Sequence, residues 1–100
     1  MEKIKAEEAR QELTMLLIWL NRMCDVKEDF NTTENFITWK NYDYGVLSEL
    51  ERRGFIYNGE HPGRRKTLDI CPEGIKEAKR ILEKYGIEDW PLKERKKKKN

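Results

Sequence analysis

The stretch from Tyr42 to Gly86 limits the possible folds of this chain more than any other part. Apolar residues at helical spacing end at Gly54, two short strand-like runs follow, and a second amphipathic helix begins at Pro72 and ends at Gly86. The turn signal Asn58-Gly59 lies between the two runs, so we expect them to pair as a hairpin. This order predicts an α+β fold in which a β-hairpin lies between two helices.

The helix before the hairpin is predicted over Tyr44 to Arg53, because Asp43 is a good N-cap and Gly54 fits the left-handed position that ends a helix. Asn41 is the alternative N-cap if the helix begins earlier. The predicted strands are Phe55–Tyr57 and Thr67–Ile70. A long apolar helix precedes these elements. The complete order is that of a winged helix, with a long N-terminal helix, a short recognition-like helix, a β-hairpin wing and a C-terminal helix.

The first helix, predicted over Glu2 to Asp25, is apolar on two faces. The face that we expect in the core consists of Ala6, Ala9, Leu13, Leu16, Leu17, Leu20 and Cys24. The opposite face consists of Met15, Ile18 and Trp19, with Arg22 beside them. A helix that is apolar on both sides is central in its fold or shared with a second chain. We therefore expect either a homodimer through the second face or its coverage by the Phe30–Trp39 segment or by Ile87 and Trp90.

Residues Val26 to Asn41 have weaker signals and are predicted mainly as loop. The run Phe36–Trp39 has strand-like residues, and a short edge strand is the alternative there. Tryptophan is more often a core or interface residue than a stacking platform. We therefore expect Trp39 to pack in the core and Trp19 to lie at the dimer interface.

Charge divides the chain into a mildly acidic domain and a basic end. Residues 1–90 have 15 basic and 18 acidic side chains, a net charge of −3. Residues 91–100 have six basic side chains and one acidic side chain, a net charge of +5. We expect one folded domain over residues 1–90 and a disordered basic tail over residues 91–100, because the like charges repel one another. A dedicated DNA-binding domain usually has its positive charge on the folded part.

The chain has no visible signal peptide, and its longest apolar run, Met15 to Leu20, is far too short to cross a bilayer. We therefore expect a cytoplasmic protein without membrane contact, in which Cys24 and Cys71 are reduced and buried as small apolar residues. A disulfide between them is the alternative for an exported or thermophilic chain.

Residues that support catalysis or metal binding are few. The single histidine, His61, lies in a predicted turn without a rigid base beside it. Two cysteines and one histidine, without the paired spacing of a zinc site, do not form a metal centre. No Gly-rich phosphate loop is present in the sequence. The sequence thus predicts a protein that is not an enzyme and uses no metal or cofactor.

Basic residues cluster at the predicted hairpin tip, where they are suited to contact phosphates or enter a minor groove of double-stranded DNA. These tip residues are His61, Arg64, Arg65 and Lys66. The exposed face of the preceding helix consists of Ser48, Glu49, Arg52 and Arg53. Arg52 is suited to reach a guanine edge and Ser48 a phosphate, whereas the Glu49 carboxylate repels phosphate. The Lys93–Lys99 tail would add affinity that does not depend on base sequence.

Three motifs resemble a bacterial family of small proteins that is classed as a domain of unknown function. The motifs are Thr38-Trp39-Lys40-Asn41-Tyr42-Asp43-Tyr44, Leu47-Ser48-Glu49-Leu50-Glu51-Arg52-Arg53-Gly54-Phe55-Ile56 and Pro72-Glu73-Gly74-Ile75-Lys76-Glu77-Ala78. With the first helix, the resemblance covers about residues 8–86. It implies a winged-helix fold but no particular activity. Leu47 to Ile56 is also similar to the recognition-helix-to-wing passage of winged-helix transcriptional regulators. The chain departs from the family pattern at Cys71, where such proteins commonly have a Thr cap.

These observations lead to two functional hypotheses. The first is a DNA-binding, transcription-regulator-like protein that contacts phosphates through its wing and reads bases weakly through the preceding helix. The second is a winged-helix module for protein–protein interaction, for example an inhibitor or adaptor encoded by a mobile element, that does not read DNA. The net charge of −3 over residues 1–90 and the carboxylate of Glu49 favour the second hypothesis.

Overall fold

The computed structural model describes residues 3–25 and 35–91. Its α-helices are α1 (Ala6–Leu20), α2 (Tyr44–Arg52) and α3 (Pro72–Tyr85), and a 3₁₀ turn covers Pro62–Arg64. Its strands β1 (Met23–Asp25), β2 (Asn35–Trp39), β3 (Ile56–Tyr57) and β4 (Thr67–Ile70) form one antiparallel sheet in the order β1-β2-β4-β3. The predicted α+β class is confirmed, and the arrangement is compatible with a winged helix.

The predicted ends of α2 and α3 are confirmed to within one residue. The Asp43 carboxylate caps α2 by accepting a hydrogen bond from the Val46 N–H at 3.0 Å. Gly54 follows α2 with φ 85°, and Gly86 follows α3 with φ 66°, in the left-handed region that glycine adopts without strain. Pro72 is the first residue of α3, where its missing N–H costs no hydrogen bond.

A close contact joins the first turn of α3 to the residue before β3. A Cβ atom added at Gly74 would lie 2.1 Å from the carbonyl oxygen of Phe55. The same oxygen accepts a hydrogen bond from the Cys71 N–H at 2.9 Å. The fold therefore requires glycine at position 74, since only a residue without a Cβ leaves room for this carbonyl group.

The structure corrects the prediction for the segment between α1 and α2. The first helix ends at Leu20, and Met23–Asp25 forms an edge strand where the sequence predicted more helix. Residues 35–39 form a strand inside the sheet, paired with β1 on one side and β4 on the other, where loop or an edge strand was expected. The β4 partner lies far along the chain, so no local pattern predicts the pairing. The predicted loop over residues 26–34 lies outside the described part.

The buried face of α1 differs from the prediction, although Leu16 of the predicted core face is buried. Met15, Ile18 and Trp19 are in the core, with exposed fractions of 1%, 0% and 2%. Leu13 and Leu17, which were predicted in the core, are 46% and 49% exposed. Because Met15, Ile18 and Trp19 have almost no accessible surface, the homodimer interface predicted through them is wrong.

Trp19 is covered by two segments that are far from it in the sequence. The ring of Phe36 packs edge-on against its indole, with the ring centroids 5.3 Å apart. The indole N–H donates to Asp89 at 2.9 Å. Arg22, the fourth residue predicted at the dimer interface, lies over the indole ring and pairs with the Asp89 carboxylate at 3.2 Å. The alternative prediction, coverage of this face by the Phe30–Trp39 segment or by Ile87 and Trp90, is confirmed for the first segment by Phe36, whereas the contact after α3 comes from Asp89.

The sheet has a buried face and an open face. Thr38, Leu68 and Ile70 belong to the buried face, with exposed fractions of 2%, 0% and 6%. Trp39 and Tyr57 lie on the opposite face and are 51% and 40% exposed. The expectation that Trp39 packs in the core is wrong, because Thr38 occupies the inward position next to it and alternation along the strand turns Trp39 outward.

None of the helices in residues 3–25 and 35–91 combines the length and the apolar character that a bilayer crossing requires. In the same residues, no three His, Cys, Asp or Glu side chains lie close enough together to hold a metal ion. Cys71 is a free thiol, and its pKa is raised by burial and, to a smaller degree, by Asp69 and Glu51. The Cys24 side chain and the predicted tail after Pro91 lie outside the described part.

Candidate nucleic-acid interface

Residues 58–66 connect β3 to β4 at the tip of the predicted wing, and we call them the wing loop. Two carbonyl groups of this loop accept hydrogen bonds from one ammonium group. Lys40 Nζ lies 2.8 Å from the backbone carbonyl oxygen of Asn58 and 2.9 Å from that of Pro62. The backbone N–H of Lys40 also donates to the Lys66 carbonyl at 2.9 Å. Lys40 thus contacts the start of the wing loop at Asn58, its middle at Pro62 and its end at Lys66.

Asn58 fixes the start of the wing loop to α2. The residue is buried, and its Nδ2 donates to Glu51 Oε1 at 2.8 Å. Its backbone N–H donates to Glu51 Oε2 at 3.4 Å. Its Nδ2 also lies 3.5 Å from the Leu47 carbonyl oxygen. The position of the wing loop relative to α2 is therefore set by specific hydrogen bonds.

The wing loop leaves most of its predicted basic residues open to solvent. His61, Arg64 and Lys66 are exposed, and within the described residues no carboxylate pairs with their side chains. Arg65 differs, because its guanidinium donates to both Asp69 oxygens, at 2.7 and 3.2 Å, and to the Thr67 hydroxyl at 3.3 Å. Arg65 is therefore engaged with side chains of β4, whereas Arg64 and Lys66 are the cations of the wing loop that an anion can reach directly.

The predicted residues of α2 divide between two clefts. Ser48 is exposed and lines a cleft of about 220 Å³ between α2 and the wing loop, together with Tyr44. Glu49, Arg52 and Arg53 line a different cleft of about 320 Å³, toward α1 and α3. The eight predicted residues, all of which the structure describes, thus do not form one surface. Ser48 is the one residue of α2 among them that shares a cleft with the wing loop.

Contacts within the chain occupy the charged residues of α2. Glu49 and Arg52 form an ion pair, and the hydrogen bond from Arg52 is the main cause that lowers the pKa of Glu49. Arg53 donates to Gln11 at 2.8 Å, and its guanidinium carbon lies 4.8 Å from the ring centre of Phe55. The side chains that the sequence assigned to base reading are therefore engaged with neighbouring residues.

Sequence analysis missed three residues at this site. Lys40 holds the wing loop, yet no local pattern distinguishes it from the other lysines of the chain. Tyr57 shares a shallow depression with His61 and Arg64 of the wing loop. Trp39 lies on the same open sheet face as Tyr57, and only the register of β2 reveals this orientation.

The candidate interface lies within a region that the chain shares with a known family. A search of the curated proteins and a search of the solved structures each gave no match to the chain. The family described as "Domain of unknown function (DUF6429)" matches residues 6–88. This range begins at the first residue of α1, ends after α3 and includes the whole wing loop. The chain therefore belongs to this family, whose defining domain has no assigned function.

Proposed function

We propose that this protein is a DNA-binding, transcription-regulator-like module of the winged-helix type that contacts phosphates through its wing loop. The observation that supports this most is the exposure of Arg64 and Lys66 on a loop that Lys40 holds in place. A cation on a tethered loop loses less conformational freedom on meeting a phosphate than a cation on a free loop. The wing loop thus combines positive charge with preorganisation, and both favour phosphate contact.

In this proposal, phosphate contact by the wing loop contributes more than base reading by α2. Glu49 and Arg52 largely neutralise each other, and Arg53 is engaged with Gln11. Ser48 remains open beside the wing loop, where its hydroxyl is suited to a phosphate or a sugar. We therefore expect DNA binding with strong salt dependence and weak sequence preference.

Equilibrium binding of the full chain to a labelled DNA duplex at low salt tests the proposal. The variant R64A/K66A removes two exposed cations from the wing loop. The control K5A/K79A removes two exposed lysines outside the wing loop, so both variants have the same net charge. Fluorescence anisotropy should show a several-fold larger loss of affinity in R64A/K66A than in the control. Equal losses in the two variants would contradict the proposal, because only general charge would then matter.

A second candidate function is protein–protein interaction, and one observation favours it. Leu13 and Leu17 are one helical turn apart on α1, and both are about half exposed. Large apolar side chains that remain exposed together are typical of interaction surfaces. We propose this face of α1, instead of the buried face around Ile18, as the contact for a second copy of the chain.

Sedimentation velocity tests this second candidate. The parent chain should sediment as a dimer, and L13E/L17E should sediment as a monomer, because two carboxylates would oppose burial of the face. A parent chain that remains monomeric at every concentration would contradict the homodimer.

A further inference from the structure

Aromatic side chains on the open face of the sheet lie next to the wing loop. The register places Tyr57 opposite Asp69 and Asp69 opposite Ile37, so these three residues share one face. Trp39 is two residues after Ile37 in β2 and therefore lies on the same face. Since β4 lies between β2 and β3, Trp39 and Tyr57 are separated by two strand spacings, about 10 Å across the sheet.

Arg65 lies over the strand between the two rings. Its guanidinium donates to Thr67 at 3.3 Å and to Asp69 at 2.7 and 3.2 Å, and both residues belong to β4. Thr67 is the register partner of Trp39, and Asp69 is the register partner of Tyr57. The open face therefore has three flat groups side by side, namely an indole, a guanidinium and a phenol.

Solvent reaches both rings, since Trp39 is 51% exposed and Tyr57 is 40% exposed. Within the described residues, neither the indole N–H of Trp39 nor the hydroxyl of Tyr57 forms a hydrogen bond. Tyr57 also lines the depression that includes Arg64 and His61. The Tyr57 ring and accessible positive charge thus meet at the β3 edge of the sheet.

We propose that this face binds the unpaired bases of single-stranded nucleic acid while the wing loop contacts its phosphates; this inference rests on the proposed function. Bases inside a duplex stack on one another, whereas unpaired bases are free to stack on aromatic and guanidinium planes. The charge favours a polyanion over an apolar peptide, because Arg64 and Lys66 outnumber Glu60 among the exposed charged residues of the wing loop. Stacking accepts every base, so sequence preference stays weak.

The test compares binding of a labelled oligothymidylate with binding of a duplex of the same length, using the full chain. Loss of both rings in W39A/Y57A should weaken single-strand binding by about 10-fold or more. Single-strand binding should largely recover in W39F/Y57F, because phenylalanine keeps a ring that stacks. The control I87A, which removes an exposed apolar side chain after α3, should bind like the parent chain. Duplex affinity should change little in all three variants.

The outcomes separate this inference from the proposed function. Unchanged single-strand binding by W39A/Y57A, with duplex binding intact, overturns the inference and leaves the proposed function standing. A parent chain that binds the duplex but not the single strand also overturns the inference and leaves the proposed function standing. A parent chain that binds neither nucleic acid overturns both proposals.

A second measurement needs no variant and so does not depend on the folding of W39A/Y57A. An oligonucleotide that contains bromouracil is irradiated in complex with the parent chain, and the crosslinked residues are identified by mass spectrometry. Crosslinks to Trp39 or Tyr57 support the inference. Crosslinks confined to other exposed aromatic residues, such as Tyr44 or Trp90, overturn it.

Discussion

Lys40 donates a hydrogen bond from its ammonium group to the carbonyl oxygen of Pro62 at 2.9 Å, although 22 residues separate the two in the sequence. The same ammonium group donates to the Asn58 carbonyl at 2.8 Å. Burial lowers the pKa of Lys40, and the positive charge of Arg65 lowers it further, against a smaller opposing effect of Glu51. This cation therefore links the end of β2 to the wing loop.

Replacing Lys40 by methionine keeps a long side chain and removes both hydrogen bonds to the wing loop. We expect the amides of residues 58–66 to exchange with solvent faster, because two carbonyl groups lose their partner and the loop opens more readily. DNA affinity should also fall, although Arg64 and Lys66 are still present. Hydrogen–deuterium exchange measures the first effect, with Lys66→Met as a control at an exposed side chain. Equal exchange in the two variants would show that the loop does not depend on Lys40.

The close contact between Gly74 and Phe55 predicts that a glycine-to-alanine substitution strongly lowers the stability of the fold. In Gly74→Ala, the new Cβ would lie 2.1 Å from the Phe55 carbonyl oxygen, so the start of α3 must move. We expect the free energy of unfolding to fall by about 2 kcal/mol or more. Gly63→Ala is the matched control, because a Cβ at that position meets no atom within 4 Å. Chemical denaturation should therefore separate the two variants, and equal stabilities would rule out the close contact.

The Glu12 carboxylate predicts how stability depends on pH. Burial alone would raise its pKa, but hydrogen bonds from Tyr85, Lys84 and Arg80 outweigh burial and lower the pKa to about 2. Because the pKa of the folded chain is below the ordinary value of 4.5, this contribution to stability is complete above pH 4.5 and is lost as the pH falls toward 2. Near neutral pH, Glu12→Gln should therefore be less stable than the parent chain.

Urea denaturation across this pH range measures the effect. The difference in unfolding free energy between the parent chain and Glu12→Gln should shrink as the pH falls from 4.5 toward 2. Glu8→Gln, which changes an exposed carboxylate on the same helix, should follow the parent chain throughout. A difference that stays constant over the range would show that the Glu12 contacts do not depend on its charge.

The burial of Trp19 and the exposure of Leu17 predict opposite outcomes for two glutamate substitutions in α1. Trp19→Glu places a carboxylate in the core and removes the ring that contacts Phe36 and Asp89, so we expect the chain to lose its fold. Leu17→Glu changes a side chain that is 49% exposed, so the fold should persist. Circular dichroism with thermal unfolding compares the two, and a cooperative transition in Trp19→Glu near that of the parent chain would be incompatible with the buried position.

Local signals were sufficient to predict the elements from α2 onward. The caps at Asp43, Gly54 and Pro72 each act within one turn of the chain, so residue type alone predicts where these helices begin and end. The hairpin strand Thr67–Ile70 alternates regularly, and its buried positions follow from that alternation. The exposed cations Arg64 and Lys66 were also recognisable, because their loop lies between two predicted strands.

Long-range contacts decide the features that the sequence left open. Both faces of α1 are apolar, and the burial of Trp19 instead of Leu17 depends on Phe36 and on the segment after α3. The outward position of Trp39 depends on the register of β2 with β4, which no local pattern contains. The role of Lys40 depends on carbonyl groups 18 and 22 residues away.

The salt dependence of duplex DNA binding shows whether the wing loop contacts phosphate. The full chain is used with Lys96, Lys97, Lys98 and Lys99 replaced by glutamine, so that these tail cations do not contribute to the slope of log affinity against log salt concentration. Adding R64A/K66A should reduce the magnitude of that slope by about 2, one unit for each lost phosphate contact. An unchanged slope would mean that neither Arg64 nor Lys66 meets a phosphate and that the wing loop is not the DNA contact.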